Sequence, residues 1–467
     1  MFTIRLKDND YKGKNISLSN FSNSEKSCIR KALESINNLS VKELEARGAI
    51  IFPSKSTEND LNDGGKIVLS VHNLETDNPI IKTSNVMGFF AIENCLNIEI
   101  HSRFDSDDRQ FFLHYMLQKI CNVSPTVELT HVNKNPFYEF IVYLFPSFLN
   151  RAISQGLFRS YITKNYNDSN IRGVIEFPRH LKNNIPFNGK VAYRTREYNQ
   201  DNYVTQLIRH TIEFIAENKN LSNILNIDEE INDSVQIIRG CTGSYNRFSR
   251  NFIINKNTKT ITHPYYTEYE PLRKLCIMIL THDKISYGEK QQTKLNGILF
   301  DGASLWEEYI NMIMIERLNE LSFPYILEHP NNRTGKGIKY LFETAENHNY
   351  TAIYPDFIIK NPDKKNIKII ADAKYKHLED ASIPREDYFQ LLSYLFRFDC
   401  KQGMLIYPYS QKDKTSDSNL FLAEHKKEIR LSVNGLEIIK YDDKCDFKDF
   451  SNNMKQKEEE FVIKLLV

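Results

Sequence analysis

The chain has 467 residues, 41% hydrophobic and 12% aromatic, and its 61 Lys and Arg stand against 60 Asp and Glu for a formal net charge of +1. That length and apolar content fit two or three packed domains and exclude a disordered tail protein. The balanced charge excludes a globally basic nucleic-acid coat, so any nucleic-acid surface must be local.

The opening MFTIRLKDNDYK has neither the apolar core nor the small-residue cleavage site of a signal peptide. Short apolar runs at 50–53, 66–71 and 86–101 alternate with turn residues and predict a β-rich domain to about residue 105, with an exposed loop over 55–65. Helical spacing starts at 111–120. The most membrane-like run, Phe137 to Leu149, is too short to span, holds Glu139 and is broken by Pro146, so a buried helix and no membrane contact are expected. From about 130 to 290 the pattern is mainly helical, clearest over 202–217, with one β-excursion from Arg172 to Pro178. Beyond 291 the types mix: a helix over 304–318, strands at 339–344, 354–360 and 367–373, a helix over 385–397 and a strand at 403–408. The expected fold class is therefore multidomain α+β, with a β-rich domain (1–125), a mainly helical middle domain (126–290) and an α/β domain (291–467).

Seven cysteines, Cys28, Cys95, Cys121, Cys241, Cys276, Cys400 and Cys445, include no C-x-x-C pair. They read as reduced, mostly buried thiols of a cytoplasmic protein, not as a disulfide framework or a zinc site. Neither a phosphate-binding G-x-x-x-x-G-K-[ST] loop nor H-E-x-x-H nor G-x-S-x-G occurs, so no nucleotide is expected to bind this chain. The TGKG at 334–337 reads as a turn. Arg172, Arg179, Lys182, Arg194 and Arg196 form a basic cluster that could touch DNA or a partner, although a solvated face is the commoner reading of such a cluster.

The chemistry gathers in the last third. Asp372 and Lys374, two apart in a strand, project to one side. If the preceding strand brings Asp356 beside them, two carboxylates and an ammonium converge. Such carboxylates bind a hard divalent cation, together with a backbone carbonyl and waters. Lys374 then orients or helps to deprotonate an activated water that attacks a phosphodiester. Upstream, Glu307 and Glu308 lie in an otherwise apolar helix, where one of them needs a cation nearby. Downstream, Gln390 and Tyr394 share a helix face at i and i+4.

A helix Glu, then Pro355-Asp356, then D-A-K at 372–374, then Q-x-x-x-Y at 390–394 resembles the PD-(D/E)XK nuclease superfamily. More narrowly, FDGASLWEEY at 300–309 with YPD at 354–356 and IADAKYK at 370–376 resembles the McrC family, the nuclease subunits of McrBC and LlaJI-like restriction systems. The stretches 87–100, 172–179 and 199–209 resemble that family more weakly. The resemblance implies a restriction-endonuclease-like C-terminal domain. It implies Asp356 and Asp372 as ligands of Mg2+, with Mn2+ able to substitute, the carbonyl of Ala373 as a third ligand, Lys374 as catalytic lysine, and Glu307 rather than Glu308 as the supporting helix glutamate. Gln390 and Tyr394 would position the site or contact the DNA backbone, and Tyr375 and Lys376 extend the motif, the latter toward a phosphate. It further implies double-stranded DNA as substrate and a separate McrB-like AAA+ GTPase ring as partner, which this chain stimulates. Double-strand cutting by a one-site subunit would require two active sites to meet. The rival readings are a stand-alone restriction or repair nuclease and a non-catalytic adaptor of a defence complex.

Overall fold

The computed structural model describes residues 2–47, 49–52, 67–92, 95–105, 109–120, 141–218, 221–226, 229–285, 296–320, 324–330, 339–345, 349–362, 366–376, 384–409, 419–424, 428–442 and 445–466. The expected loop over 55–65, the TGKG turn and the start of the 137–149 run lie outside them. The chain forms two compact units, residues 1–131 with 288–467, and residues 132–287. The β-rich start and the α/β end of the chain thus share one unit.

In that first unit the chain begins with β1 (Phe2–Lys7), β2 (Lys14–Asn15), α1 (Asn23–Ile36), α2 (Val41–Ala46), β3 (Ile50–Phe52), β4 (Leu69–His72), β5 (Ile80–Thr83), β6 (Val86–Ile92), β7 (Leu96–His101) and α3 (Phe111–Ile120). After residue 288 it continues with β11 (Asn296–Asp301), α10 (Gly302–Glu320), β12 (Ile326–Glu328), β13 (Lys339–Glu343), β14 (Asn349–Ile353), β15 (Phe357–Lys360), β16 (Ile367–Ala373), α11 (Arg385–Arg397), β17 (Gln402–Tyr409), β18 (Asn419–Phe421), β19 (Arg430–Glu437) and α12 (Phe447–Leu466).

One five-stranded sheet runs β1-β7-β6-β11-β3. It buries Ile4, Ile98, Ile100 and Leu299 against Ile29, Ala32, Leu33 and Ile36 of α1, one stripe of an amphipathic helix capped by Ser22 and Glu25. This packing brings Cys28 of α1 beside Cys95. Strand β11 was not expected from the sequence. It pairs antiparallel with β6, Gly88 opposite Leu299. Gly88 has φ +134°, and a Cβ there would lie 2.2 Å from the carbonyl oxygen of Ile298. Gly88→Ala should therefore cost about 2–3 kcal/mol, read as a lower denaturation midpoint.

A second sheet, of six strands, runs β12-β15-β16-β17-β19-β18. Its middle strand β16 buries Ile369, Ile370 and Ala371, the continuous apolar run of a strand covered on both faces. α11 lays Leu391, Tyr394 and Leu395 into the core beside Leu405, Tyr407 and Val433. On α3 the His114 imidazole is buried, and that burial pushes its pKa from 6.5 down to about 3. A base held neutral in the fold contributes stability above pH 6.5 that is lost as pH falls toward 3, on the order of several kcal/mol in full. Acid denaturation should thus begin below pH 6.5, and His114→Gln should flatten the slope between pH 6.5 and 4.

The second unit contains α4 (Phe145–Ser154), β8 (Ser160–Asp168), β9 (Val174–Ile175), α5 (Phe177–Asn183), β10 (Val191–Asn199), α6 (Tyr203–Glu217), α7 (Glu229–Cys241), α8 (Arg250–Lys256) and α9 (Tyr269–Ile285). Asn202 caps α6 by accepting from the backbone of Val204 and Thr205. Beside its helices the unit holds an antiparallel sheet of β8, β10 and β9, of which β9 alone lies within the expected β-excursion from Arg172 to Pro178. The nine residues of β8 alternate only between half-buried and exposed, so no apolar period of two marks it in the sequence. Among the described residues no helix is long and apolar enough to cross a membrane.

Candidate active site

Strands β15 and β16 run antiparallel with Phe357 opposite Ala371, so one further step of that register puts Asp356 opposite Asp372. The Asp356 carboxylate accepts a hydrogen bond from the Ala373 N–H at 2.7 Å. Asp372 is 2% exposed, and its Oδ2 lies 2.5 Å from Lys374 Nζ. Beyond the end of β16 the Lys374 N–H still donates to the Ile406 carbonyl of the neighbouring strand at 2.8 Å, which fixes where the lysine leaves the sheet.

α11 closes the site from one side. Lys374 Nζ donates to Gln390 Oε1 at 2.8 Å, Gln390 Nε2 donates to the Tyr394 hydroxyl at 2.9 Å, and that hydroxyl reaches the Tyr354 carbonyl at 3.4 Å. The i, i+4 pair thus forms a relay onto the lysine.

Glu307 stands on α10. His329 stands between it and the backbone of Asp356: Nδ1 lies 2.6 Å from the Asp356 carbonyl oxygen, and Nε2 lies 3.6 Å from Glu307 and 4.0 Å from Glu308. The imidazole also stacks on Phe357. Burial opposes charging of His329, but Glu308, the Asp356 carbonyl and Glu307 outweigh it and raise its pKa.

The electrostatics are those of a site short of positive charge. Burial, then the charges of Asp372 and Glu307, push the Asp356 carboxyl well above the usual carboxylate range. Burial also raises Asp372, against the pull of Lys374. For Lys374, burial disfavours the ammonium, but Asp372, Asp356 and Asp387 outweigh it and its pKa is raised. Among the described residues no group of three or more His, Cys, Asp or Glu side chains is set to hold a metal. The buried Asp372 carboxylate nonetheless stands beside that of Asp356, with the Lys374 ammonium paired to it. Two hard oxygen donors with excess negative charge suit an ion such as Mg2+, which keeps several of its waters.

Three residues that the sequence reading missed join the site: His329, Asp387 and Tyr407. Asp387 lies three residues before Gln390, on the same face of α11, so helix phase could have found it. Lys376, expected toward a phosphate, pairs with Asp387 at 3.0 Å. Tyr375 turns away into the core, hydrogen-bonded to Ser102 at 2.7 Å. In the other unit, the basic residues are largely engaged: Arg179 pairs with Glu176 at 2.7 Å, Arg194 lies 3.7 Å from Glu176, and Arg172 and Arg196 lie over the rings of Tyr166 and Tyr161.

The family model of the McrBC 5-methylcytosine restriction system component matches residues 81–408, well over half of the chain. No curated protein matches the chain. A similar fold occurs in a chain of the refined half-complex from the tetradecameric assembly of Thermococcus gammatolerans McrB AAA+ hexamers with bound McrC, with a TM-score of 0.50 and 14% identity over 100% of both chains. A chain of the T. gammatolerans McrBC complex solved by cryo-EM aligns over 68% of this chain and 88% of that one, at 15% identity and a TM-score of 0.33. At these identities the first likeness bears on the fold alone, and the second is too weak to add to it. The chain belongs to the McrBC 5-methylcytosine restriction system component family.

Proposed function

We propose that this chain is the Mg2+-dependent endonuclease subunit of a McrBC-like, GTP-dependent and modification-dependent restriction system, working in the cytoplasm with a separate McrB-like AAA+ GTPase whose hydrolysis it stimulates. In this reading residues 291–467 carry a PD-(D/E)XK nuclease, and residues 1–125 and 126–290 serve partner docking. The observation that carries it is the convergence of Asp356, Asp372 and Lys374 at one end of the β15–β16 pair, with Gln390 holding the lysine.

Asp356 and Asp372 would hold the cation, with the Ala373 carbonyl as a third donor. When bound, such a cation stabilises the charge that builds on a phosphodiester under attack. The Lys374 ammonium, held by Gln390 and through it by Tyr394, places a positive charge beside that phosphate and orients the attacking water. Glu307 supports Asp356 through His329. Double-strand cutting requires two such sites to meet.

Docking on a partner is supported by the middle unit, which leaves Val174, Phe177, Ile185 and Phe187 exposed, at 65%, 67%, 65% and 69%. An apolar group of this kind marks an interaction surface.

The test is cleavage of methylated and unmethylated plasmid by the purified chain with Mg2+, alone and with a neighbouring AAA+ GTPase and GTP. Cutting only with partner and GTP is expected. Cutting by the chain alone would replace the proposal with a stand-alone nuclease, and no cutting in any arm would favour an adaptor.

A further inference from the structure

We propose that Asp387 is the second resting place of the Lys374 ammonium: it takes the ammonium over when a divalent cation occupies Asp372, and it thereby sets how tightly that cation binds. This rests on the reading of Asp372 as a cation ligand.

Without a cation, Lys374 Nζ stands 2.5 Å from Asp372 Oδ2, on the oxygen that an incoming cation needs. Two positive charges repel at that oxygen, so the ammonium has to leave, and leaving it unpaired in a buried site is costly. Asp387 Oδ1 lies 3.9 Å from the same Nζ. Gln390 Oε1 accepts from the same Nζ at 2.8 Å, so the ammonium is already held toward α11, the helix that carries Asp387.

Asp387 is placed for this role. It stands in the first turn of α11 and is 6% exposed. The Tyr407 hydroxyl donates to its Oδ2 at 3.2 Å, and Lys376 spans both oxygens at 3.0 and 3.2 Å. Lys376 itself is half exposed, so a surface carboxylate would have partnered it as well. What the buried position adds is reach to Lys374. Asp387 is thus a positioning residue that acts through the lysine.

The test is calorimetric titration of the full-length chain with Ca2+, without DNA, for the wild type, Asp387→Asn, Lys374→Ala and the double variant. Asp387→Asn should weaken Ca2+ binding about tenfold, as expected for members of one charge network. Lys374→Ala should tighten it by removing the competitor, and in that background Asp387→Asn should have a much smaller effect. Unchanged binding by Asp387→Asn overturns the proposal. Equal weakening in both backgrounds also overturns it, because the lost charge then acts through its field alone. Should Asp387→Asn fail to fold, Lys374→Ala decides: tighter binding supports the competition, and equal or weaker binding overturns it. A wild type that binds neither Ca2+ nor Mg2+ overturns instead the proposed function on which this rests.

Discussion

Asp356→Asn is expected to lower DNA cleavage by about a thousandfold or more and, without divalent cation, to make the fold more stable by about 1 kcal/mol. The two effects have one cause. Burial and the charges of Asp372 and Glu307 raise the Asp356 carboxyl, so its ionised form is held in the fold at a cost. For an acid raised in the fold, the stability it contributes is fully present below its unfolded pKa of about 4 and is lost as pH rises through the raised value. The cation-free wild type should therefore lose stability as pH rises above about 4, and Asp356→Asn should lose less. Asparagine keeps an acceptor for the Ala373 N–H and leaves Lys374 its partner Asp372. Melting curves in chelator across pH, with plasmid cleavage in Mg2+, check both halves. Wild-type cleavage, or a variant less stable than the parent at neutral pH, would sink the assignment.

How much of this could be read from the sequence follows from which interactions are local. The helix over 385–397 and the strand over 367–373 occur at the expected residues because each carries its own period or apolar run. The motif positions Asp356, Asp372, Lys374 and Gln390 come together because a β-pair and the helix after it follow one another along the chain. β8 and β10 were missed because neither has a well-buried face over most of its length. β11 was missed because its partners, β6 and β3, lie some two hundred residues away, and no local pattern reports such pairing. His329 belongs to this second group: it reaches Asp356 because β12 pairs with β15, while in sequence it is an isolated histidine. The same distance hides the anchor under Tyr375, built from Asp8 just after β1, Asn85 between β5 and β6, and Ser102 and Arg103 just after β7.

Removal of the cation in that anchor should be the most destabilising single change considered. Arg103 pairs with Asp8 through its guanidinium at 2.8 Å and its backbone N–H at 2.5 Å, and also donates to Asn85. Its guanidinium lies 4.7 Å from the ring of Tyr375, the residue after Lys374. Arg103→Ala should cost about 3–5 kcal/mol, because it leaves the Asp8 carboxylate buried and unpaired. The pH dependence identifies the cause. Burial already raises Asp8 to about 6 against the pull of Arg103, and without Arg103 it rises further. A carboxyl raised in the fold costs stability as pH climbs through its folded pKa, so the deficit of Arg103→Ala should be largest near pH 8 and shrink toward pH 5. Denaturant unfolding at the two pH values measures it, and a deficit equal at both would rule out Asp8 as its source. The paired variant Asp8→Asn with Arg103→Met, which removes both charges, should recover most of the loss. Because Tyr375 packs on the guanidinium and precedes Lys376, the loss should also loosen the segment that presents Lys374 to Asp372 and Gln390.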